Sequence, residues 1–301
     1  RDWSLDREEL ERAHAEAVAQ GIRVQAIVVI HPGNPTGSIL DEDSVHQVLA
    51  FAREKQLCVI ADEVYQENLY GASFTSFAKA LGDDDEVPLF SLHSTSKGFY
   101  GECGHRGGYV EVRNPPAVQG QDYGFMEVLF KQASVSLCSN TVGQALCYLM
   151  VSPPSEGSAS RKLYDEEKAG ILSELETKAK RIRAAFDEME GVHCFGRLGA
   201  MYLFPRLDVL PGGKSDFDYC MSLLEETGLC TVNGSGFGQR EGHLTPPHRL
   251  PASAGPPRGG AAALDRLAQQ VRQAVDREST PSPHVAHDRL RRQPHAGRAA
   301  P

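Results

Sequence analysis

Residues 91–112 read SLHSTSKGFYGECGHRGGYVEV. An apolar run passes into hydroxyls, then a single lysine, Lys97, then a burst of glycines with one arginine, Arg106, before the chain turns strand-like again. A lysine just beyond a buried strand can send its amine into the cleft at the strand's carboxyl end, where α/β sheets place their ligands. Glycines around it let backbone approach an anion closely. Whether this stretch is such a site or an exposed lysine in a loose loop depends on what surrounds it.

Two further apolar runs lie upstream. Residues 24–30, VQAIVVI, and 57–61, LCVIA, are short and β-branched, and each predicts a strand buried on both faces of a parallel sheet. VPLFSLHS, 87–94, predicts a third strand and GGYVEV, 107–112, a fourth. Helical spacing lies between them. In SLDREELERAHAEAVAQG, 4–21, Ser4 is the expected N-cap and Gly21 the stop, and DEDSVHQVLAFAREKQ, 41–56, is a second helix. Strands alternating with helices predict an α/β domain with a mostly parallel sheet sandwiched by helices. The three strands near residues 24–30, 57–61 and 89–92 are expected to be neighbours.

Residues 121–150 read as helical, and SPPSEGSAS, 152–160, is a polar break. Residues 166–189 predict a long, partly exposed helix with opposite charges at helical spacing. GAMYLFPRL, 199–207, alternates like a strand; DFDYCMSLLEETG, 216–228, is an amphipathic helix; LCTVNGSGFG, 229–238, reads as a strand entering a glycine loop. The expected organisation is a large domain over 1–150, a smaller C-terminal α+β domain over 151–278 that becomes irregular from about 243, and a tail over 279–301 too rich in Arg, His and Pro to pack. A helix is expected at 262–278.

The chain has 301 residues, 41% of them hydrophobic, and a formal net charge of -9. That balance argues against nucleic acid as the main partner, because phosphate binding needs a basic face. No run reaches the length of a membrane span. Seven cysteines without a CxxC pair fit reduced thiols in an intracellular compartment, each a small core residue rather than a metal ligand. The histidines lack metal-ligand spacing, so no metal is expected.

The chemistry concentrates at three strand ends. Ser94, Thr95 and Ser96 offer hydroxyls, and Arg106 a charged fork suited to phosphate. Asp62 ends a buried strand, where a carboxylate is costly unless paired; it either faces a cationic heterocycle or caps the helix that follows. Tyr65 offers a hydroxyl to the same place. Asn34, in HPGNPTG, either joins that pocket or belongs to a proline turn. Together these groups meet the needs of pyridoxal phosphate: a Schiff-base lysine, an acid for the pyridine nitrogen, donors for the phenolate oxygen and an anion site.

HPGNPTG (31–37), ADEVYQENLY (61–70), HSTSKGFYGECGHRGGY (93–109), GAMYLFPR (199–206) and GSGFGQREG (234–242) resemble the alanine aminotransferase group of the fold-type I pyridoxal-phosphate aminotransferases. The resemblance covers roughly residues 5–242. It implies the fold-type I large domain and, as cofactor, pyridoxal 5'-phosphate. It implies that Lys97 forms the Schiff base and shuttles the substrate's α-proton, that Asp62 holds the pyridine nitrogen protonated, that Asn34 and Tyr65 bond the phenolate oxygen, and that Ser94, Ser96 and Arg106 hold the phosphate. The implied reaction is L-alanine with 2-oxoglutarate giving pyruvate and L-glutamate by a ping-pong route. The implied partners are small amino acids and 2-oxo acids and, in the complete protein, a second copy in a homodimer. A cytoplasmic or mitochondrial location follows, as does the rival glutamate–glyoxylate aminotransferase, which shares the lysine segment.

Two departures accompany the resemblance. Family members begin well upstream of Arg1, so the start is expected further upstream. After Gly242 the family continues into a strand bearing an arginine for the substrate carboxylate, whereas here HLTPPHRLPASAGPP follows, with Arg249 among prolines that disfavour a central strand. A truncated, non-catalytic homologue is the reading that these departures set against an active enzyme.

Overall fold

The computed structural model describes residues 3–118, 120–208, 210 and 215–238. The expectations for the irregular stretch after 242, Arg249, the helix at 262–278 and the unpacked tail lie outside the described residues.

The first helix, α1, spans Arg7–Ala19. Its N-cap is Asp6, not Ser4: the Asp6 carboxylate accepts the Glu8 N–H at 3.0 Å. Strand β1 is Ala26–Ile30. Helix α2, Glu42–Lys55, starts where Asp41 accepts the Ser44 N–H at 2.9 Å and ends at Gln56 in the left-handed region. Val45, Val48, Leu49 and Ala52 recur at three- and four-residue spacing on its buried side, the stripe that drives an amphipathic helix onto a sheet. Then follow β2 (Cys58–Asp62), the short α3 (Phe77–Leu81), β3 (Leu89–Ser94) and β4 (Gly108–Arg113).

The four strands form one sheet in the order β1-β2-β3-β4. β1, β2 and β3 are parallel neighbours, as their apolar runs predict, and β4 returns antiparallel along β3. One sheet face carries the core: Val29, Val59, Ala61 and Leu89 meet Val45, Val48, Leu49 and Phe77. On the other face Phe90 meets Phe125 edge to face at 5.5 Å. The expectation that β1 is buried on both faces is corrected. β1 is an edge strand of this sheet, and Val28 and Ile30, alternating with buried Val29, are exposed, Val28 at 63%.

The helical reading of 121–150 resolves into two helices, α4 (Phe125–Ser134) and α5 (Thr141–Val151). The break comes at Leu137, whose φ is 62°, and Asn140 then caps α5 by accepting the Val142 and Gly143 N–H groups. The long helix α6, Ala159–Asp187, runs as expected, with Arg161–Asp165 and Arg183–Asp187 pairs one turn apart. Of the strand expected at 199–207, only Arg206–Leu207 (β6) is in a ladder, paired antiparallel with Val192–His193 (β5). Helix α7 is Asp216–Thr227. Residues 229–233 form no strand, and Gly234–Phe237 is a 3-10 turn tied back to α7 by the Ser235 N–H bonding Asp216 at 2.7 Å.

The seven cysteines are free thiols, but the expectation of seven core residues is corrected: Cys194 is buried, whereas Cys103, Cys138 and Cys230 are exposed. Among the described residues no group of His, Cys, Asp and Glu could hold a metal ion, and no helix is long and apolar enough to cross a membrane.

Candidate functional site at the carboxyl end of the sheet

The register fixes the site's frame. Asp62, last in β2, lies beside Leu92 of β3. Side chains alternate along a strand, so Ser94, two residues beyond Leu92, shares the face of Asp62. Lys97 follows three residues later, half-buried. Its amine stands 5.9 Å from the centre of the Tyr65 ring, inside the range of a cation–π contact. Tyr65 is fully buried, and burial pushes its phenol well above the usual range, with the Asp62 charge adding to the rise. Asp62, Tyr65 and Lys97 therefore come together.

The Asp62 carboxylate accepts the Val64 N–H at 3.3 Å. It opens a turn over the residues that carry Tyr65, not an α-helix, which corrects the helix-capping alternative. Ser94 Oγ donates to the Gly107 carbonyl at 3.1 Å and accepts the Ser96 N–H at 3.0 Å. The loop returns so tightly that a Cβ on Gly107 would stand 2.7 Å from the Gly143 carbonyl oxygen and 3.0 Å from Thr95 Oγ1. Only glycine fits there. Asn34 is exposed in the turn after β1. That turn is held to the same end of the sheet by the His31 N–H, which donates to the Asp62 carbonyl at 2.9 Å.

Arg106 is placed differently. It is exposed, its φ is 52°, and its fork donates to the Cys103 carbonyl of its own loop at 2.9 Å. The structure thus gathers Asp62, Tyr65 and Lys97, sets Ser94 against Ser96, and turns the Arg106 side chain back on its own loop.

Three residues escaped the sequence reading. Tyr202 bonds the Tyr65 hydroxyl at 2.8 Å from a loop 137 residues away. Glu63, next to Asp62, points to the core face and accepts the Phe77 N–H at 2.8 Å; burial pushes its carboxyl up to about 7. His31 accepts the Leu40 N–H on Nδ1 at 3.2 Å, and burial pushes it down to about 4 against a smaller upward pull from the Thr75 backbone. The only signal in the sequence was the doubled acid in ADEVY.

A cavity of about 140 Å³ is lined by Glu63, Ser91, Tyr109 and Glu111, among others. Ser91 pairs with Glu111, and Asp62 with Leu92, so alternation puts this cavity on the opposite face from Asp62 and Ser94. It is separate from the Lys97 site.

The donor set at the strand ends suits pyridoxal phosphate. It offers one amine, one carboxylate for a protonated pyridine, one buried phenol and two adjacent hydroxyl-bearing residues. Gly101 and Gly104 have open space where a Cβ would stand, so backbone is accessible on the loop side.

The chain's parallel-rich α/β sheet is in keeping with a family model described as aminotransferase class I and II, which matches residues 1–266. The chain belongs to this family. Within it, similar curated proteins include several named as alanine aminotransferases. Alanine aminotransferase 1 of Homo sapiens is 45% identical over 258 residues, covering 80% of this chain and 51% of that protein. A Saccharomyces cerevisiae relative, 43% identical over 260 residues and covered to 50%, is named inactive alanine aminotransferase. The chain thus spans about half the length of the curated relatives it matches. Among solved structures, an alanine aminotransferase from Pyrococcus furiosus superimposes with a TM-score of 0.65 at 24% identity, covering 92% of this chain and 62% of that one. A tyrosine aminotransferase from Leishmania infantum gives 0.64 at 22% identity, covering 92% and 61%. At these identities both report the fold.

Proposed function

We propose that this chain carries the cofactor and catalytic residues of an alanine transaminase, which moves the amino group of L-alanine to 2-oxoglutarate, giving pyruvate and L-glutamate by a ping-pong route. The observation that carries the reading is the Lys97 amine standing 5.9 Å from the Tyr65 ring at the carboxyl end of the sheet. Bound there, pyridoxal 5'-phosphate supplies an aldehyde for the lysine and an electron-withdrawing ring for the substrate's Cα–H bond.

The chain's own groups have separate tasks. Lys97 would hold the cofactor through its Nζ, and its amine, when free, would be the base that takes the substrate's α-proton. The Asp62 carboxylate pairs with the pyridinium N–H and keeps that proton in place. Tyr65 and Asn34 donate to the phenolate oxygen. Ser96 would donate to phosphate, and Ser94 and the Arg106 fork would each exchange a neutral carbonyl acceptor for a dianion, the stronger, charge-assisted bond. Association into a homodimer and a cytoplasmic or mitochondrial location belong to the same proposal.

The test is addition of pyridoxal phosphate, borohydride reduction and peptide mapping, paired with pyruvate formation from L-alanine and 2-oxoglutarate. Label on Lys97 and its loss in Lys97→Ala are expected. Label on another lysine with Lys97 unmodified overturns the proposal, as does pyruvate formed equally well by Lys97→Ala.

A further inference from the structure

We propose that Tyr202 is a positioning residue for Tyr65. Its hydroxyl donates into the Tyr65 oxygen, and so turns the single Tyr65 proton toward the cofactor's phenolate oxygen and strengthens that bond. The inference rests on the reading of the Lys97 site as a pyridoxal-phosphate site and adds to it a residue from the second half of the chain.

The geometry is specific. The two hydroxyl oxygens are 2.8 Å apart, and the rings meet edge to face at 5.6 Å and 85°. A phenol has one proton to give and lone pairs to receive with. If Tyr65 spent its proton on Tyr202, it would have none for the phenolate oxygen. If Tyr202 gives, Tyr65 is free to donate outward, and a chain of two hydroxyls polarises each member. Burial keeps Tyr65 protonated, as a donor must be.

Tyr202 is held where it can do this. In its loop, the Ala200 N–H donates to the Asn68 carbonyl at 2.9 Å and the Tyr70 hydroxyl donates to the Ala200 carbonyl at 2.6 Å. Ala200 has a φ of 52°, a left-handed conformation that a non-glycine residue keeps only where its surroundings impose it. From the other side, a Cβ on Gly37 would stand 2.4 Å from the Tyr202 carbonyl oxygen. The loop is therefore wedged between the turn that carries Asn34 and the turn that carries Tyr65, with the Tyr202 hydroxyl presented to Tyr65 alone of the proposed cofactor groups.

The experiment is a pH titration of the visible band that pyridoxal phosphate gains on bonding to Lys97, in the full chain and in Tyr65→Phe, Tyr202→Phe and the double variant. A donor on the phenolate oxygen lowers the midpoint of that titration, so Tyr65→Phe should raise it by roughly one pH unit. Tyr202→Phe keeps the ring and its packing, and should raise the midpoint by about half that or less. In the Tyr65→Phe background the second substitution should change nothing. A midpoint unmoved by Tyr202→Phe, moved downward, or moved additively in the double variant overturns the proposal, and a packing role alone gives no such coupled shift. A visible band absent from the unsubstituted chain overturns the cofactor reading itself, and Tyr202's role toward the cofactor with it; that blank control separates the two failures.

Discussion

Phe77 is clamped from two sides by ionisable residues. Its N–H donates to the Glu63 carboxylate at 2.8 Å, while its ring meets the edge of the His31 imidazole at 6.4 Å. Both partners are buried, Glu63 at 5% exposure and His31 at 0%, and burial moves them in opposite directions, Glu63 up to about 7 and His31 down to about 4. Each stays closest to its uncharged form.

The pH dependence of stability follows. Between the ordinary carboxyl value of 4.5 and about 7, folded Glu63 holds a proton that the unfolded chain releases, so raising pH through that window weakens the fold. Between about 4 and the ordinary 6.5, the unfolded chain binds the His31 proton and the folded chain does not, so raising pH strengthens the fold. His93, also lowered by burial, adds to the His31 slope. From pH 4.5 to 6.5 the opposing slopes largely cancel. Glu63→Gln keeps an acceptor for Phe77 and removes one slope, so stability should then climb with pH by on the order of 2–3 kcal/mol across the window. His31→Gln should make it fall. Denaturant titrations at pH 4.5, 5.5 and 6.5 read this, and a Glu63→Gln slope equal to that of the unsubstituted chain refutes it.

Phe77 itself is the second prediction. It is wholly buried between α2 and the sheet, so Phe77→Ala removes contacts and leaves a cavity, at a cost of about 3–5 kcal/mol. Phe130 on α4, at 65% exposure, is the control: Phe130→Ala should change stability by no more than about 0.5 kcal/mol. Urea midpoints compare the two, and equal losses would place the core elsewhere.

Asp62→Asn tests the proposed pyridinium partner. The amide keeps the size and the bond to the Val64 N–H but loses the charge. A charge-assisted bond contributes about 1.5–3 kcal/mol, so the rate with L-alanine and 2-oxoglutarate should fall roughly 10- to 100-fold, while borohydride still labels Lys97. An unchanged rate removes Asp62 from the assignment.

How much of this was legible depends on where each residue's partner lies. β1, β2, β3 and α2 were readable because their signals are local: short, mostly apolar runs, and Val45, Val48, Leu49 and Ala52 on one helical stripe. The strand expected at 199–207 had real alternation, but at its start the Ala200 backbone is engaged by Asn68 and Tyr70, and only Arg206 and Leu207 enter a ladder. Asp62 and Lys97 could be singled out because Asp62 closes one strand of the sheet and Lys97 follows the end of the next by three residues. Glu63 and Tyr202 could not, because their partners Phe77 and Tyr65 lie 14 and 137 residues away, beyond any spacing rule.

Gly37 offers a test of the docking of the 199–205 loop that needs no cofactor. Its φ is 68°, and a Cβ there would stand 2.4 Å from the Tyr202 carbonyl oxygen and 3.0 Å from the Gly199 carbonyl oxygen. Both obstacles are backbone, so the contact cannot be relieved by a side-chain rotation; the loop has to move away. Gly21 is the matched control, with a φ of 77° and open space where its Cβ would stand. Gly21→Ala should therefore cost only the left-handed conformation, about 1–2 kcal/mol, whereas Gly37→Ala should cost that and the loop's contacts, roughly 3 kcal/mol or more. The single tryptophan reports which has happened, because Trp3 packs on Phe204 at 5.8 Å, just beyond Tyr202 in the same loop. Trp3 is already 41% exposed, so what Gly37→Ala should remove is its contact with Phe204, which changes its emission intensity and lets iodide quench it more readily under native conditions, and Gly21→Ala should leave both in place. If both variants give the emission of the unsubstituted chain with equal losses of stability, the loop is not held against Gly37, and the placement of Tyr202 beside Tyr65 loses its support.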